Sequence, residues 1–226
     1  MARRKGHVRD SRTALLDAAW EIFLERGIEA ASVEAIVSRA ELSKGTFFHF
    51  FPTKMAMLEA FCERLAEDAW REVGPLLEAS DRDPLERLDA WLVASRARRL
   101  ERPEGVLRLW SEATRDENAV LLKKLRALGA AILAPALTRL LADGNERGQF
   151  HVTDPEITAW ILIDLGMAAL TVNAPAVASG PGALGHVLRR ANATIEAIER
   201  TLGAPPGSLH RVRAEEFYRL ADPPRA

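Results

Sequence analysis

Polar residues that could contact a nucleic acid lie close together near the N-terminus of this 226-residue chain. Ser43, Lys44, Thr46 and His49 fall within seven consecutive positions, with Gly45 among them. Hydroxyl, ammonium and imidazole groups donate hydrogen bonds to phosphate oxygens and base edges. A glycine beside them lets the backbone approach a duplex closely. These residue types at this spacing indicate DNA recognition.

A helix-turn-helix would hold these side chains in place. Ser32 can cap a first short helix and Ser43 a second, because a serine hydroxyl accepts a hydrogen bond from an amide of the first turn. Apolar residues between the two caps recur at helical spacing and would face inward: Val33, Ile36, Val37, Ala40 and Leu42. In such a motif the second helix places its first residues in the major groove. The segment from Ser32 to Lys54 therefore predicts a DNA-reading motif.

The composition of the chain limits which other kinds of functional site it could hold. Cys62 is the only cysteine, which excludes a disulfide framework and a cysteine-rich zinc site and favours a reducing, cytoplasmic setting. No metal or cofactor is expected, because the other histidines lack ligand spacing. These are His7, His151, His186 and His210. A signal peptide, a membrane-length apolar run and the common catalytic motifs are also missing, which disfavours a membrane protein and an enzyme.

Charge is unevenly distributed despite a net charge of -1. Residues 1–54 carry nine cations and seven acids, and five of those cations form a basic N-terminal arm. They are Arg3, Arg4, Lys5, Arg9 and Arg12. The arm would contact the minor groove or phosphates, or would remain a solvated tail.

The apolar pattern has helical period throughout and predicts an all-α fold of about nine helices. We expect three domains: a helix-turn-helix domain with its basic arm at 1–53, a helical ligand-binding and dimerisation domain at 54–203, and a tail at 204–226 that could contain a short helix near Glu215 to Leu220. We expect a first helix from Arg9 to Arg26, a fourth helix ended at Val73 by Gly74–Pro75, and a short helix at Glu104 to Trp110. A long helix from Glu117 to Asp143, broken or bent at Pro135, is expected before a turn at Gly144 to Gly148. We also expect a helix from Pro155 that is buried on more than one face, a loop at Asn173 to Gly185 and a last helix at Ala183 to Leu202.

The segment from Ala40 to Lys54 resembles the DNA-binding signature of the TetR family. That signature reads approximately Ala-Gly-Val-Ser-Lys-Gly-Thr-Leu-Tyr-x-His-Phe-x-Ser-Lys, and this chain has Ala-Glu-Leu-Ser-Lys-Gly-Thr-Phe-Phe-His-Phe-Phe-Pro-Thr-Lys. The resemblance covers roughly residues 10 to 60. Glu41 replaces the turn glycine, which would cost about 1 kcal/mol if the turn is left-handed. Phe48 and Phe50 replace a tyrosine and a histidine that usually contact phosphate.

The resemblance implies a homodimeric repressor that binds a palindromic DNA operator and is released by a small, largely apolar ligand. By position, the residues assigned to base edges are Lys44, Thr46 and Phe47, with Phe47 exposed and touching a thymine methyl group. Those assigned to phosphate are Ser43, His49 and Lys54. The full set expected at the DNA is Ser32, Ser43, Lys44, Gly45, Thr46, Phe47, Phe48, His49 and Lys54. Phe51 is expected to be buried.

The C-terminal region offers candidates for a ligand pocket and a dimer interface. The pocket candidates are Phe61, Trp91, Trp110, Trp160, Asp164 and Met167, although each aromatic residue could equally belong to an ordinary core. Asp164 could pair across a dimer interface, face a ligand or reach solvent. The dimer candidates form a seam at alternating spacings of four and three: Leu184, Leu188, Ala191, Ile195, Ile198 and Leu202.

Three alternative interpretations accompany these expectations. Cys62 could be a redox sensor, but its apolar helix favours a small core residue. The chain could be a helical adaptor that binds another protein, with DNA affinity weakened by the loss of the tyrosine and histidine. It could also be an enzyme with an incidental helix-turn-helix, which the lack of catalytic motifs makes the weakest alternative.

Overall fold

A computed structural model describes residues 2–27, 30–101, 113–115, 119–178 and 184–215, and within those ranges it is all-α with no strand. The eight described helices are α1 (Ala2–Arg26), α2 (Val33–Arg39), α3 (Lys44–Phe50), α4 (Lys54–Glu78), α5 (Pro84–Glu101), α6 (Ala119–Glu146), α7 (Pro155–Ala178) and α8 (Leu184–Leu202). The predicted all-α class is therefore confirmed. The expected helix at 104–110 lies outside the described residues, as does nearly all of the expected tail helix.

The chain divides into two compact units, Met1–Leu65 and Ala66–Ala226. The division falls within α4, whereas the sequence placed a domain boundary at residue 54. The first part of α4 packs into the N-terminal unit, where the indole of Trp20 in α1 stacks on Phe61 with ring centroids 4.9 Å apart. Arg64 of α4 also donates a hydrogen bond of 2.7 Å to Asp17. Contacts between distant segments, which periodicity does not report, set this boundary.

The N-terminal unit buries apolar residues from all four of its helices. Those that are almost inaccessible include Leu15, Leu16, Ile22, Ile36, Phe47, Phe51 and Met57. α1 begins at Ala2 and not near Arg9, so the basic arm is part of a helix. The core fixes α2 and α3 against α1 and leaves their polar sides exposed.

In the C-terminal unit α6 packs against α7, and α7 against α8. α6 is a single helix through Pro135 and ends at Glu146, past the predicted end at Asp143. Its extension depends on Gly144, because a Cβ atom there would lie 2.0 Å from the ring of Phe150. α6 is also the one described helix long and apolar enough to cross a membrane, but its leucines Leu137, Leu140 and Leu141 belong to the core of this unit.

The prediction that Gly74 and Pro75 end the fourth helix is wrong, since α4 continues to Glu78. The ring of Trp70 lies over Gly74, where a Cβ atom would be 2.5 Å from it. Nε of Arg87 donates a hydrogen bond of 2.9 Å to the carbonyl of Leu77, whose side chain is fully buried. The local contact of Trp70 with Gly74 and the tertiary contact from Arg87 together support the last turn despite two unfavourable residues.

The end of α7 and the order of the segment after α8 also differ from the predictions. α7 continues through Asn173 to Ala178, so the expected loop is shorter, and residues 179–183 lie outside the described residues. The segment after α8 is held in place as far as Val212. The side-chain amide of Asn192 donates to the carbonyl of Val212 at 3.1 Å and its oxygen accepts from the Val212 amide at 2.8 Å. Leu209 and Val212 are both buried.

Candidate nucleic-acid interface

The helix-turn-helix is formed by α2, a short turn and α3. The Ser32 hydroxyl accepts a hydrogen bond of 3.2 Å from the Ala35 amide, and the Ser43 hydroxyl accepts one of 3.0 Å from the Thr46 amide. Both predicted caps are therefore confirmed. Ser43 Oγ and Thr46 Oγ1 are also 2.9 Å apart. This contact orients the Thr46 hydroxyl at the exposed start of α3.

Glu41 adopts a left-handed backbone conformation in the turn between the two helices, with φ of 54°. Within the described residues it is the only non-glycine residue with a positive φ. The Leu42 amide donates to the carbonyl of Val37 at 2.9 Å, which closes the end of α2. The left-handed conformation on which the expected cost at Glu41 depended is present, so this motif contains local backbone strain.

The assignment of Phe47 to base contact is wrong, because its side chain is fully buried. Its ring lies 5.6 Å from that of Phe51, which is buried as expected, and meets Phe48 edge to face at 5.4 Å. Phe48 is 53% exposed and is the aromatic residue that α3 presents outward. The packing of α3 against α1 and α2 therefore decides which phenylalanine faces the core.

Two cations of the motif, Lys44 and Arg39, are paired with acids of the same unit. The Lys44 ammonium donates to the carboxylate of Glu34 in α2, and this hydrogen bond holds the pKa of Glu34 below its ordinary value. Arg39 binds Glu25 through two hydrogen bonds of 2.8 and 2.9 Å and binds Glu21 at 3.1 Å. These hydrogen bonds raise the pKa of Arg39 and lower that of Glu25. Neither Glu34 nor Arg39 was among the predicted site residues.

The start of α4 follows the motif directly. The Thr53 hydroxyl accepts a hydrogen bond of 3.0 Å from the Ala56 amide and so caps the helix. Lys54 is the first helical residue and is partly exposed, and His49, five residues earlier in the chain, is exposed near the end of α3. The free amides at a helix N-terminus favour an anion such as a phosphate group.

A separate cavity of about 360 Å³ lies within the C-terminal unit. Trp91 and Met167 line it, as expected of two pocket candidates. Phe61 instead belongs to the core of the N-terminal unit, and Trp110 lies outside the described residues. Trp160 and Asp164 are exposed and are not among the lining residues. The sequence missed most of the lining, which includes Leu92, Ser95, Leu133, Leu162 and Leu170.

The expected dimer seam is largely inside the subunit. Ile195, Ile198 and Leu202 are buried in the core of the C-terminal unit, and Ala191 packs against that core and lines the cavity with Ile195 and Ile198. Leu188 is partly buried against the same core, and the side chain of Leu184 lies outside the described residues. The alternating spacing of four and three does place these residues along one side of α8. That side packs against helices of the same subunit.

An exposed apolar stripe instead lies on α7. Ile157, Trp160 and Ile161 are 55%, 44% and 45% exposed, and the exposed Asp164 follows on the same face. One side of this helix is therefore open in the single subunit, although α7 packs against both α6 and α8. Spacings of three and four residues place these side chains along one side of the helix.

Cys62 is 2% exposed, and burial raises the pKa of its thiol to about 12. A thiol of this kind is scarcely ionised at neutral pH, which supports the core interpretation over a redox sensor. Among the described residues no group of histidine, cysteine and acidic side chains is suited to hold a metal ion.

Residues 15–61 match the family model described as bacterial regulatory proteins, tetR family. The HTH-type transcriptional repressor DhaR of Mycobacterium sp. (strain GP1) is 30% identical over 83 residues, which is 37% of this chain and 42% of DhaR. The HTH-type transcriptional regulator UidR of Escherichia coli (strain K12) is 44% identical over 50 residues, which is 22% of this chain and 26% of UidR. The matched region spans less than half the length of either relative.

Solved structures resemble the chain over a longer range. RolR in complex with resorcinol has a TM-score of 0.61 at 21% identity and covers 97% of both chains. FadR of Thermus thermophilus, described as a TetR family transcriptional repressor in complex with lauroyl-CoA, has a TM-score of 0.58 at 23% identity and covers 83% of this chain and 94% of FadR. At these identities the likeness shows the fold.

Proposed function

We propose that this chain, whose residues 15–61 match the tetR family of bacterial regulatory proteins, is a transcriptional repressor that binds a palindromic DNA operator as a homodimer. The observation that carries the proposal is the capped helix-turn-helix, whose second helix presents exposed polar groups while Phe47 anchors it in the core. The proposal assigns the protein to the cytoplasm and gives it no enzymatic activity.

The DNA contacts in this proposal come from the exposed side of α3 and the start of α4. Lys44 and Thr46 reach base edges, and Phe48 takes the apolar role that was assigned to Phe47, against a thymine methyl group. The other contacts are phosphate contacts. They come from Ser32, Ser43, His49, Lys54 and the backbone of Gly45. Phosphate contacts position the helix and make binding strongly dependent on salt concentration.

The homodimer uses the exposed stripe on α7. Large apolar side chains at Ile157, Trp160 and Ile161 are costly to leave in water, and the same face of a two-fold mate would cover them. Asp164 lies beside the stripe. This position favours the first of its three possible roles, which is to pair across the dimer interface. In a two-fold dimer the two α3 helices read half-sites about 34 Å apart.

Release from DNA follows ligand binding in the cavity of the C-terminal unit. Its volume of about 360 Å³ and its mainly apolar lining suit a small organic molecule. The ligands present in RolR and FadR support a ligand-responsive role for this chain as well. α4 begins at Lys54 and its second half lines the cavity, so one helix belongs to both sites. A ligand need only bind the DNA-incompetent state more tightly, by a few kcal/mol.

The proposal is tested by selecting bound fragments from a random DNA pool with the full-length protein. We expect enrichment of a palindrome with half-sites about one helical turn apart. Lys44→Ala and Lys54→Ala are each expected to weaken binding to that site by about tenfold, and Lys54→Ala, which removes a phosphate contact, is expected to reduce the salt slope by about one. Lys123→Ala, which removes an exposed cation of the C-terminal unit, is the matched control and should leave binding unchanged.

The results also separate the adaptor and enzyme alternatives. A pool without an enriched palindrome would contradict the regulator and favour the adaptor. Unchanged binding in both lysine variants would contradict the docking mode.

For the dimer, Ile161→Glu is expected to give a monomer by sedimentation, whereas Ile195→Val, a conservative change in the core, should remain dimeric. A dimer that persists in Ile161→Glu would exclude the α7 stripe as its interface.

A further inference from the structure

Two polar groups in the wall of the C-terminal cavity have no hydrogen-bond partner among the described residues. They are the indole Nε1 of Trp91 and the hydroxyl of Ser95, both inaccessible to solvent. The two residues both line the cavity and are four positions apart on α5, which places them on one side of that helix. Ser95 as a whole is 7% exposed. The two residues that carry unpaired donors are therefore about one helical turn apart on α5.

Buried polar groups in folded proteins are nearly always hydrogen-bonded, because an unpaired group loses its water without replacement. An indole N–H can only donate, and a serine hydroxyl can donate as well. The partner that satisfies both is an acceptor oxygen with two lone pairs. A carbonyl oxygen has this property, and a hydrocarbon lacks it.

The rest of the lining indicates that the ligand carries no charge. Most lining residues are aliphatic or aromatic. Arg98 is bonded to Glu72, so its charge is already compensated, and Arg96 also interacts with other groups of the chain. The hydroxyl of Thr194 donates to the Arg190 carbonyl at 3.0 Å. An anionic ligand would therefore lose water without gaining an uncompensated cation.

We propose that the cavity binds a neutral, predominantly apolar molecule through one acceptor oxygen that receives hydrogen bonds from Trp91 and Ser95. A volume of about 360 Å³ corresponds to roughly fifteen to twenty non-hydrogen atoms at interior packing density. Met167 adapts the wall to such ligands, because its terminal methyl group lies over Gly129 and methionine has several rotatable bonds. This inference rests on the proposed ligand-responsive function and specifies the ligand's chemistry.

The test compares benzophenone with diphenylmethane, which has nearly the same shape but no oxygen, by titration calorimetry on the full-length protein without DNA. We expect benzophenone to bind at least tenfold more tightly. Trp91→Phe and Ser95→Ala should each reduce that preference to threefold or less, because each removes one donor and keeps most of the side chain. Trp70→Phe and Thr194→Val, at lining residues whose polar atoms are not among the unpaired buried groups, should preserve the preference.

Three results would overturn the proposal. They are equal binding of both compounds, no binding of benzophenone, and tighter binding of the anion diphenylacetate. Ligand-free Ser95→Ala must also keep or raise the melting temperature, because a fall of several degrees would mean that the hydroxyl already has a partner.

Operator affinity measured without ligand separates this inference from the proposed function. Trp91→Phe and Ser95→Ala should bind the selected operator as tightly as the unchanged protein does. If the operator is bound but benzophenone is not, only the ligand inference fails. If benzophenone binds but no operator is found, the failure lies in the proposed DNA-binding function.

Discussion

The ammonium group of Lys44, the first residue of α3, is ion-paired with the carboxylate of Glu34 in α2. Lys44 is a proposed DNA contact, so an acid of the neighbouring helix occupies it in the free protein. Both side chains are more than half exposed, which makes the pair weak in water and easily exchanged for an acceptor on DNA. We therefore predict that Glu34 opposes DNA binding.

Glu34→Gln is expected to tighten operator binding by about three- to tenfold at low salt, because it removes a negative charge near the phosphates and frees Lys44. The gain should shrink as salt is raised. Fluorescence anisotropy with labelled operator measures it. Glu63→Gln, the same charge change on an exposed residue of the same unit, should have little effect. Equal or weaker binding by Glu34→Gln would refute the competition.

Glu41→Gly is expected to stabilise the N-terminal unit by up to about 1 kcal/mol, since glycine adopts the left-handed conformation without strain. Part of this gain is offset by the greater entropy of glycine in the unfolded chain. Urea unfolding followed by circular dichroism measures the change. Ser38→Gly, in the ordinary helical conformation of α2, should destabilise instead. If both glycines destabilise, the turn is not strained.

Phe47→Ala and Phe48→Ala should have opposite consequences, although the residues are adjacent. Phe47→Ala is expected to destabilise the N-terminal unit by about 3 to 5 kcal/mol, because the fully buried ring leaves a cavity. Phe48→Ala should cost less than about 1 kcal/mol and should instead weaken operator binding. Unfolding and anisotropy experiments on the two variants check this. A stable Phe47→Ala would contradict the observed phase of α3.

Arg87→Met is expected to destabilise the C-terminal unit by about 2 to 4 kcal/mol. The guanidinium donates to the Leu77 carbonyl and, at 2.7 Å, to Asp143, and its loss leaves a buried carbonyl unpaired at the end of α4. Methionine retains much of the apolar stem. Arg139→Met is the control: that exposed arginine pairs with the exposed Glu78, so its loss should cost less than about 1 kcal/mol. Comparable effects in chemical denaturation would argue against this role of Arg87.

Glu199 is 2% exposed and anchors the segment that follows α8. Burial alone would raise the pKa of its carboxyl group. Hydrogen bonds from the Leu209 amide at 3.0 Å and from Arg211 at 2.8 Å outweigh that effect, so its pKa lies below the ordinary value of 4.5. The ionised form therefore stabilises the fold above pH 4.5, and this contribution is lost as pH falls through the folded pKa.

Glu199→Gln is accordingly expected to lower the free energy of unfolding by about 1 to 3 kcal/mol at pH 7. The difference from the unchanged protein should shrink in the acid range. Unfolding measured from pH 7 to pH 3 checks both statements. Glu196→Gln, an exposed neighbour on the same helix, should show neither effect. A constant difference across the pH range would mean that the ionised carboxylate is not the stabilising species.

The helix-turn-helix can be predicted from local sequence features. Serine caps and apolar spacing act through hydrogen bonds and contacts within a few residues, so Ser32, Ser43 and the unusual Glu41 turn could be identified from the order of residues alone. The end of α4 could not, because Trp70 over Gly74 and Arg87 at the Leu77 carbonyl are contacts that outweigh local helix-breaking preferences.

Only the tertiary structure decided which apolar residues meet which partners. Periodicity identifies a stripe as apolar but does not say what covers it. Ile195 and Ile198 are covered by their own subunit and line its cavity, whereas Ile157 and Trp160 are left exposed. The same reason separates Phe47 from Phe48. The sequence thus determined the local geometry of the DNA-reading motif, and packing between distant segments decided which side chains are free to bind anything.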